Sequence, residues 1–275
     1  MTTESTLSQR RVLLTGAGGS IGTMLRPLLA PHVAELRLAD RRPIATAHPN
    51  ETACVVDLAE RAACARAVTG IDAIVHFAGF AEEGDWETLI PANIVVVAHL
   101  WDAAIAAGVD RIVYATSNHV TGFHPRERTI DATAEVRPDT RYGVTKVFME
   151  ALASLHADKH GLRGFGLRIG RCDTEPRDAR ALSHWVHPED LAALVRVGLE
   201  ADYLHEIVYG VSANSRSWWD NARAEALGYR PRHSADGFIA ALSQKTESDP
   251  IAERYQGGTY CAIEYAGDPS RPASR

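Results

Sequence analysis

The chain has 275 residues, of which 45% are hydrophobic and 23% charged, and its formal net charge is −6. The acidic balance, without a run of Lys and Arg, argues against nucleic acid and anionic membranes as partners, so we expect a small-molecule ligand. A polar start (1–10) and four scattered cysteines without a C-x-x-C pair predict a cytoplasmic chain with reduced thiols and no disulfide frame or zinc site.

The first predicted elements are an apolar strand over 12–15 and a helix that begins near Ser20, joined by a glycine-rich turn. Three glycines in and after this turn are spaced three residues apart: Gly16, Gly19 and Gly22. Such glycines permit a sharp turn, let a pyrophosphate approach the backbone and pack the helix onto the strand. The N–H groups at the helix start, at Ser20 and Ile21, would then face the phosphates. This pattern predicts a dinucleotide site, although a glycine triplet alone also occurs in ordinary turns.

An acid follows the second predicted strand, 35–39, at the distance that a dinucleotide site requires. Asp40 lies about twenty residues beyond the turn, where a carboxylate accepts hydrogen bonds from both ribose hydroxyls. This favours NAD, because a 2′-phosphate would meet the charge of Asp40 at close range. Arg41 and Arg42 could partly offset that repulsion, so NADP stays open, and a solvated turn acid is the alternative interpretation of Asp40.

Strands and helices continue to alternate, which predicts an α/β fold, a Rossmann-like doubly wound parallel sheet with helices on both faces. Further strands are expected at 53–56, 73–77 and 111–115, and helices at 58–68 and 86–107. Two strand ends are expected to border the cofactor: Asp57 and Leu58 at the adenine, and Phe77, Ala78 and Gly79 at the sheet edge. Pro27 lies inside the first predicted helix and should kink it or shift its start.

Candidate catalytic groups follow the strand at 111–115 and recur on the next predicted helix. Tyr142 and Lys146 are four residues apart, so they share one helix face, and an ammonium beside a phenol favours the phenolate. An unperturbed phenol has a pKa near about 10, and Lys146 and the positively charged oxidised nicotinamide would bring Tyr142 toward working pH as a base. A Tyr-x-x-x-Lys pair alone is also typical of a helix surface. Its place after the glycine turn, Asp40 and Ser117 favours the catalytic interpretation.

With these motifs the chain resembles the extended branch of the short-chain dehydrogenase/reductase superfamily, and within it the family of NAD-dependent uronate dehydrogenases. The resemblance covers nearly the whole chain. Superfamily membership is carried by 111–113 leading to 117–119 and by 142–146, and the family is distinguished by 167–170, 180–185, 212–214 and 218–221. Members oxidise the anomeric carbon of glucuronate or galacturonate to an aldarolactone and reduce NAD.

The resemblance implies which residues surround the reacting carbon. Tyr142 would take the proton from the anomeric hydroxyl while the hydride passes to the nicotinamide, and Lys146 would bind the nicotinamide ribose. Ser117 would hydrogen-bond the reacting oxygen. Asn118 and His119 would hold neighbouring sugar hydroxyls.

Arg180 would bind the substrate carboxylate, because its planar fork can hold a carboxylate in two bonds and stays charged. Without the family pattern, the less favoured alternative is a surface arginine in the Arg-rich loop that also holds Arg171 and Arg177. Two positions depart from the pattern. Ala81 replaces a serine that often reaches the sugar, so one hydrogen bond is lost or filled by water. Arg171 replaces a small residue near the nicotinamide, and it either adds a second charge for the carboxylate or points to solvent.

No metal site is predicted, because hydride transfer to NAD requires no Lewis acid here. Four residues could be imagined as a metal cluster: His184, His187, Glu189 and Asp190. The better interpretation is that His187 and Pro188 open a helix that runs to about residue 200, with acids near its positive end.

We expect one domain over 1–275, with a dinucleotide-binding core at about 10–170, a small substrate lobe at about 171–265 and a mobile tail at 266–275. The small lobe favours a free sugar acid, so a nucleotide-sugar epimerase or dehydratase is the alternative enzyme, and an NAD-binding sensor without turnover is the alternative class. Trp218 and Trp219 are expected in the core or at a contact between subunits of a homo-oligomer, with a pocket wall as the lesser alternative. Residues 255–260 should form a turn docked on the body.

Overall fold

The structure is a computed structural model that describes residues 6–270. Residues 1–5 of the polar start and 271–275 of the predicted tail lie outside the described residues. The main sheet contains β1 (Arg11–Thr15), β2 (Glu35–Asp40), β3 (Glu51–Val55), β4 (Ala73–His76), β5 (Arg111–Ser117), β6 (Arg163–Ile169) and β9 (His205–Gly210). Two short strands, β7 (Arg171–Cys172) and β8 (Trp185–Val186), form a separate parallel pair.

The main sheet has the strand order β3-β2-β1-β4-β5-β6-β9, and every neighbouring pair is parallel. The direction of winding reverses between β1 and β4, so a crevice opens at the carboxyl ends of these two strands. The predicted doubly wound parallel sheet is confirmed.

The longer helices are α1 (Ser20–Leu29), α2 (Arg61–Val68), α4 (Val96–Ala106), α5 (Arg141–His160) and α7 (Pro188–Glu200). The short helices are α3 (Trp86–Leu89), α6 (Ala181–His184), α8 (Ala222–Ala226), α9 (Ile239–Leu242), α10 (Pro250–Arg254) and α11 (Thr259–Ala262). The start of α7 at Pro188, with His187 as its N-cap, confirms the predicted helix.

Two prolines shape the helices on the amino-terminal side. Pro27 does not shift the start of α1, which begins at Ser20, and the helix ends two residues after the proline. The helix predicted at 86–107 is divided by a π turn, Ile90–Val95, that contains Pro91. A proline has no N–H to donate and crowds the preceding turn, which the wider π turn accommodates.

The stretch Trp86–Ala106 is long and apolar enough to cross a membrane by composition alone, with a mean hydropathy of 1.7. In the fold, however, α4 packs against α2 and α5 and contributes Leu100 and Trp101 to the core. A core helix of a globular domain passes the same composition test.

The core consists of two apolar layers, one on each face of the sheet. Val12 and Leu14 of β1 face the layer formed with α1 and α7, while Leu13 faces the layer formed with α2, α4 and α5. Successive strand side chains point to opposite faces, so a strand covered on both sides needs a continuous apolar run. This requirement explains the runs from which the strands were predicted.

After β6, α7 and β9 belong to the main core and sheet, whereas the short helices α6, α9, α10 and α11 pack in small apolar clusters. Trp219 lies in the core, where its ring stacks on Tyr209 with centroids 4.4 Å apart, whereas Trp218 is partly buried beneath the guanidinium of Arg126. In the described part of the predicted tail, the carbonyl of Pro269 accepts a hydrogen bond from Arg254.

Candidate active site

The glycine turn after β1 has the tight backbone that the sequence predicts. Gly16 has φ +67°, and a Cβ there would lie 2.7 Å from the carbonyl carbon of Phe77. A Cβ on Gly22 would overlap the carbonyl oxygen of Gly16, so α1 can approach β1 only with a glycine at that position. Gly19 is the N-cap of α1 and brings no side chain over the first N–H groups of the helix. These N–H groups form an anion-binding cradle that suits a pyrophosphate.

A cavity of about 750 Å³ extends from this turn along the ends of β2, β3 and β4. Its lining includes these predicted cofactor residues: Gly16, Gly19, Asp40, Asp57, Leu58, Phe77, Ala78 and Gly79. The carboxylate of Asp40 accepts hydrogen bonds from the N–H groups of Gly18 and Arg42, each at 3.1 Å. The shape and the acid at the end of β2 fit the adenosine half of NAD.

A second cavity, of about 660 Å³, shares the glycine turn and 77–80 with the first and continues toward the carboxyl-terminal clusters. The predicted residues on its wall are Ser20, Ile21, Gly22, Ala81, Ser117, Asn118, His119, Tyr142, Lys146 and Arg180. The structure therefore brings every predicted site residue to one of two adjoining cavities. Arg171 also lines the second cavity.

Tyr142 and Lys146 lie on the first turns of α5, and both side chains are buried. The Nζ of Lys146 donates to the carbonyl oxygen of Ala115 at 2.8 Å and lies 5.5 Å from the centre of the Tyr142 ring. Burial lowers the pKa of Lys146 to about 8. Burial raises the pKa of Tyr142 above its ordinary value, and a hydrogen bond with Ser117 acts in the opposite direction. In the cofactor-free protein desolvation dominates, so the pKa of this phenol is not brought down toward working pH. That Lys146 favours the phenolate stays a prediction for the protein with bound dinucleotide.

Ser117 and Asn118 lie where β5 ends. The Ser117 hydroxyl accepts from the N–H of His119 at 3.2 Å and so caps the turn Asn118–Thr121. The Asn118 amide, oriented by its partners, donates to the carbonyl of Ile169 at 3.1 Å and accepts from Nη2 of Arg180 at 3.2 Å. The end of β5 thus places next to one another the side chains that are predicted to bind the sugar, Ser117, Asn118 and His119.

Arg180 is held largely by the protein itself. Its Nε and Nη2 donate to the backbone carbonyl of Gln256 at 3.1 and 2.7 Å, and Nη1 lies 2.9 Å from Nε2 of His184. Burial lowers the pKa of Arg180 to about 10, so the group stays charged at neutral pH. With Asn118 as a further partner, four of its five N–H groups are used among the described residues. The predicted two-bond fork for the carboxylate is therefore wrong for this arrangement, in which one Nη1 hydrogen remains for a ligand.

Several wall residues were missed by sequence reasoning. The turn predicted at 255–260 is docked on the body, and it also supplies Gly257, Thr259 and Tyr260 to the second cavity. Behind this wall the Asp139 side chain is buried and its Oδ2 lies 2.7 Å from Nδ1 of His119. Neither the contribution of 257–260 to the cavity nor the contact of Asp139 with His119 can be predicted from a local sequence pattern, because the partners are distant in sequence.

Three side chains of metal-ligating types lie close together outside these cavities, at the start of α7. His187, Glu189 and His233 have ligand atoms within 4.8 Å of one another, whereas His184 lies apart, beside Arg180. The rings of His187 and His233 stack with centroids 3.6 Å apart and planes 17° apart. Their in-plane lone pairs therefore run side by side instead of converging, and His187 Nδ1 is already used by the N–H of Glu189. His187 alone serves as the N-cap of α7.

Comparison with known proteins agrees with this site. The sequence model of the NAD dependent epimerase/dehydratase family matches residues 12–188. A uronate dehydrogenase of Pseudomonas syringae pv. tomato is 41% identical over 263 residues, which cover 94% of this chain and 95% of that protein.

Two solved structures are similar throughout. A variant of uronate dehydrogenase from Agrobacterium tumefaciens, complexed with NAD, has a TM-score of 0.88 and 38% identity, over 92% of this chain and 97% of that chain. Glucuronic acid dehydrogenase from Chromohalobacter salexigens has a TM-score of 0.88 and 38% identity, over 95% of this chain and 98% of that chain. With the dinucleotide turn, the Tyr142 and Lys146 pair and Arg180 on adjoining cavities, the chain belongs to the uronate dehydrogenase family, within the NAD dependent epimerase/dehydratase family.

Proposed function

We propose that the protein oxidises the anomeric carbon of a free hexuronate, glucuronate or galacturonate, to an aldarolactone with NAD as the oxidant. The observation that carries the proposal is one cavity wall on which a buried phenol, a buried ammonium and a held guanidinium lie next to the dinucleotide turn. Bound NAD supplies an oxidised pyridine ring that accepts a hydride.

Residues at the end of β5 and the start of α5 remove the proton from the anomeric hydroxyl. The Tyr142 oxygen accepts the proton of the anomeric hydroxyl as the carbon–oxygen double bond forms, while Ser117 hydrogen-bonds the reacting oxygen and orients it. The Nζ of Lys146 donates to the Ala115 carbonyl, and its ammonium would also bind the nicotinamide ribose. Before the reaction Tyr142 loses its own proton to solvent, and Lys146 would stabilise the phenolate that results.

The substrate carboxylate is bound at Arg180, with Asn118 and His119 on neighbouring hydroxyls. The backbone carbonyl of Gln256 fixes the guanidinium plane, so the carboxylate approaches from the Nη1 side. A positive charge in a partly dry cavity selects a uronate over the neutral hexose.

At the other end of the cofactor, Asp40 selects NAD over NADP, because a 2′-phosphate would face its carboxylate.

The experiment that tests this function follows NADH absorbance with NAD or NADP against free uronates, neutral hexoses and UDP- and dTDP-sugars. We expect turnover of free uronates with NAD. Conversion of nucleotide-sugars without net NADH, seen by chromatography of the sugar products, would favour an epimerase or dehydratase, and NAD binding without conversion of any sugar would favour a sensor. Equal rates with neutral hexoses would contradict the role of Arg180.

The proposal includes a cytoplasmic homo-oligomer. A stripe along α5, at spacings of four, three and four residues, is apolar and at least partly exposed: Val144, Phe148, Ala151 and Leu155. Such a stripe on one helix face suits a second copy of the chain. Light scattering of the purified protein is expected to give a mass above 29.9 kDa, and Leu155→Glu is expected to shift it toward that value.

A further inference from the structure

We propose that Asp139 is a positioning residue that holds His119 as the tautomer protonated on Nδ1, so that Nε2 accepts a hydrogen bond from a hydroxyl of the substrate. The identity of that substrate rests on the proposed function, whereas the tautomer of His119 follows from contacts within the protein and does not depend on that function.

The acceptor character of Asp139 follows from both of its oxygens. Oδ2 lies 2.7 Å from Nδ1 of His119, and Oδ1 accepts from the hydroxyl of Thr140 at 3.0 Å. The Thr140 oxygen itself accepts from the N–H of Gly143, so its hydrogen is available for Asp139. A carboxylate only accepts, and therefore the proton between Asp139 and a neutral His119 lies on Nδ1.

Two glycines leave the space that the Asp139 carboxylate occupies. A Cβ on Gly122 or on Gly257 would overlap Oδ2 of Asp139, so both neighbouring backbones can approach only as glycine. The Asp139 side chain is fully buried, and the thiol of Cys261 lies 3.8 Å from the same oxygen. Gly257 belongs to the carboxyl-terminal turn, which links that turn to the position of His119.

The ring of His119 is clamped on two further sides. Tyr260 stacks on one face with centroids 4.1 Å apart and planes 18° apart, and Tyr142 meets the ring edge to face at 5.9 Å. His119 lines the cavity beside Ser117, and no hydrogen bond joins its Nε2 to another of the described residues. Because the ring is held in place and Nδ1 is bonded to Asp139, the Nε2 atom of a neutral His119 is a hydrogen-bond acceptor that faces the cavity. The group that it binds must therefore be a donor, such as a sugar hydroxyl.

The substitution Asp139→Asn tests this arrangement because the new amide has a preferred orientation. The Thr140 hydroxyl still donates to the near oxygen, so the amide nitrogen faces His119 and donates to Nδ1. This forces the proton of a neutral His119 to Nε2 and converts the acceptor into a donor. Cys261→Ala is the matched control, since it removes another contact of Oδ2 without touching His119.

The first measurement is the ¹⁵N spectrum of histidine-labelled protein at a pH where the imidazoles are neutral, with His119→Gln used to assign the signals among 12 histidines. We expect a pyrrole-type Nδ1 and a pyridine-type Nε2 for His119 in the wild type and in Cys261→Ala, and the reverse in Asp139→Asn. A wild-type spectrum with the proton on Nε2 overturns the proposal, even if Asp139→Asn does not fold.

The second measurement compares uronates with analogues that lack one hydroxyl. We expect the wild type and Cys261→Ala to lose about 3- to 10-fold in kcat/KM when one particular hydroxyl is removed. We expect His119→Ala and Asp139→Asn to lose this discrimination at the same hydroxyl. Unchanged discrimination in both variants overturns the role in binding. If the wild type turns over no uronate, the proposed function fails while the ¹⁵N result stands.

Discussion

The guanidinium of Arg180 donates twice to the backbone carbonyl of Gln256, from Nε at 3.1 Å and from Nη2 at 2.7 Å. One edge of the fork is thereby used by the backbone of a distant segment. His184 takes part of the other edge, and burial holds the pKa of its imidazole well below the usual range, so it accepts instead of repelling the arginine. The arginine is rigid before any substrate arrives.

This rigidity makes the effect of Arg180→Ala predictable. Loss of a charged hydrogen bond to the carboxylate is expected to raise KM for uronates by roughly 10- to 100-fold, with a smaller effect on kcat. Steady-state kinetics with a uronate and the matching neutral hexose measure the change. Arg180→Lys keeps the positive charge but loses the planar guanidinium, and we expect its KM for uronates to lie between that of the wild type and that of Arg180→Ala. A preserved preference for the uronate in Arg180→Ala would remove this residue from carboxylate binding.

Tyr142→Phe removes the proton acceptor and leaves the ring. We expect kcat to fall by roughly 10²- to 10⁴-fold, while NAD affinity, measured by calorimetry, stays close to that of the wild type. Because the hydroxyl contacts Ser117 and not the core, the melting temperature should change little. Near-normal turnover would exclude Tyr142 as the base.

The protonation state of the Tyr142 phenol is expected to depend on the cofactor. Burial raises the pKa of Tyr142 in the cofactor-free protein, so the phenol stays protonated through neutral pH. The positive charge of the oxidised nicotinamide lowers that pKa. An ultraviolet difference titration of the wild type against Tyr142→Phe, without and with NAD, measures both. A tyrosinate signal near neutral pH without NAD would show that the base is preformed.

Arg171 and Arg177 form a matched pair for testing a second cation. Both bind Asp173, at 3.5 and 2.5 Å, but only Arg171 lines the substrate cavity. We expect Arg171→Ala to raise KM for uronates by about 2- to 5-fold, an effect that salt weakens, as for a partly exposed charge. Arg177→Ala should leave KM unchanged. Equal behaviour of the two variants would show that Arg171 serves only Asp173.

Gly22→Ala tests the contact between α1 and the glycine turn. The added methyl would overlap the Gly16 carbonyl, and overpacking of this kind costs about 1–3 kcal/mol. We expect a lower melting temperature and weaker NAD binding. Gly237→Ala is the control, because open space surrounds its Cβ position and its φ is not positive. Full NAD affinity in Gly22→Ala would mean that the turn tolerates displacement.

The sequence predicts well those features that are local or periodic. The buried runs of β1 and β5 predict a parallel sheet, the glycine spacing predicts the turn, and the four-residue spacing of Tyr142 and Lys146 places both on one face of α5. These features are set by backbone geometry within a few residues, which is why the sequence alone predicts them.

The features that sequence reasoning missed depend on distant partners. Asp139 precedes α5 in a polar loop and resembles an ordinary capping residue, yet its partner is His119. The carbonyl of Gln256 has no side-chain signature at all, although it fixes Arg180. The pKa of Tyr142 in the cofactor-free protein is likewise not predictable from the spacing to Lys146, because desolvation depends on the packed cavity.

The carboxyl-terminal turn that carries Gln256, Gly257 and Tyr260 has a consequence for how the protein is made. The strands that border the NAD crevice leave the ribosome early, whereas the segment that steadies Arg180 and His119 leaves after β9. The residues that hold Arg180 and His119 in place are therefore synthesised later than those of the NAD crevice, so the sugar site depends on a larger part of the chain than the dinucleotide turn does.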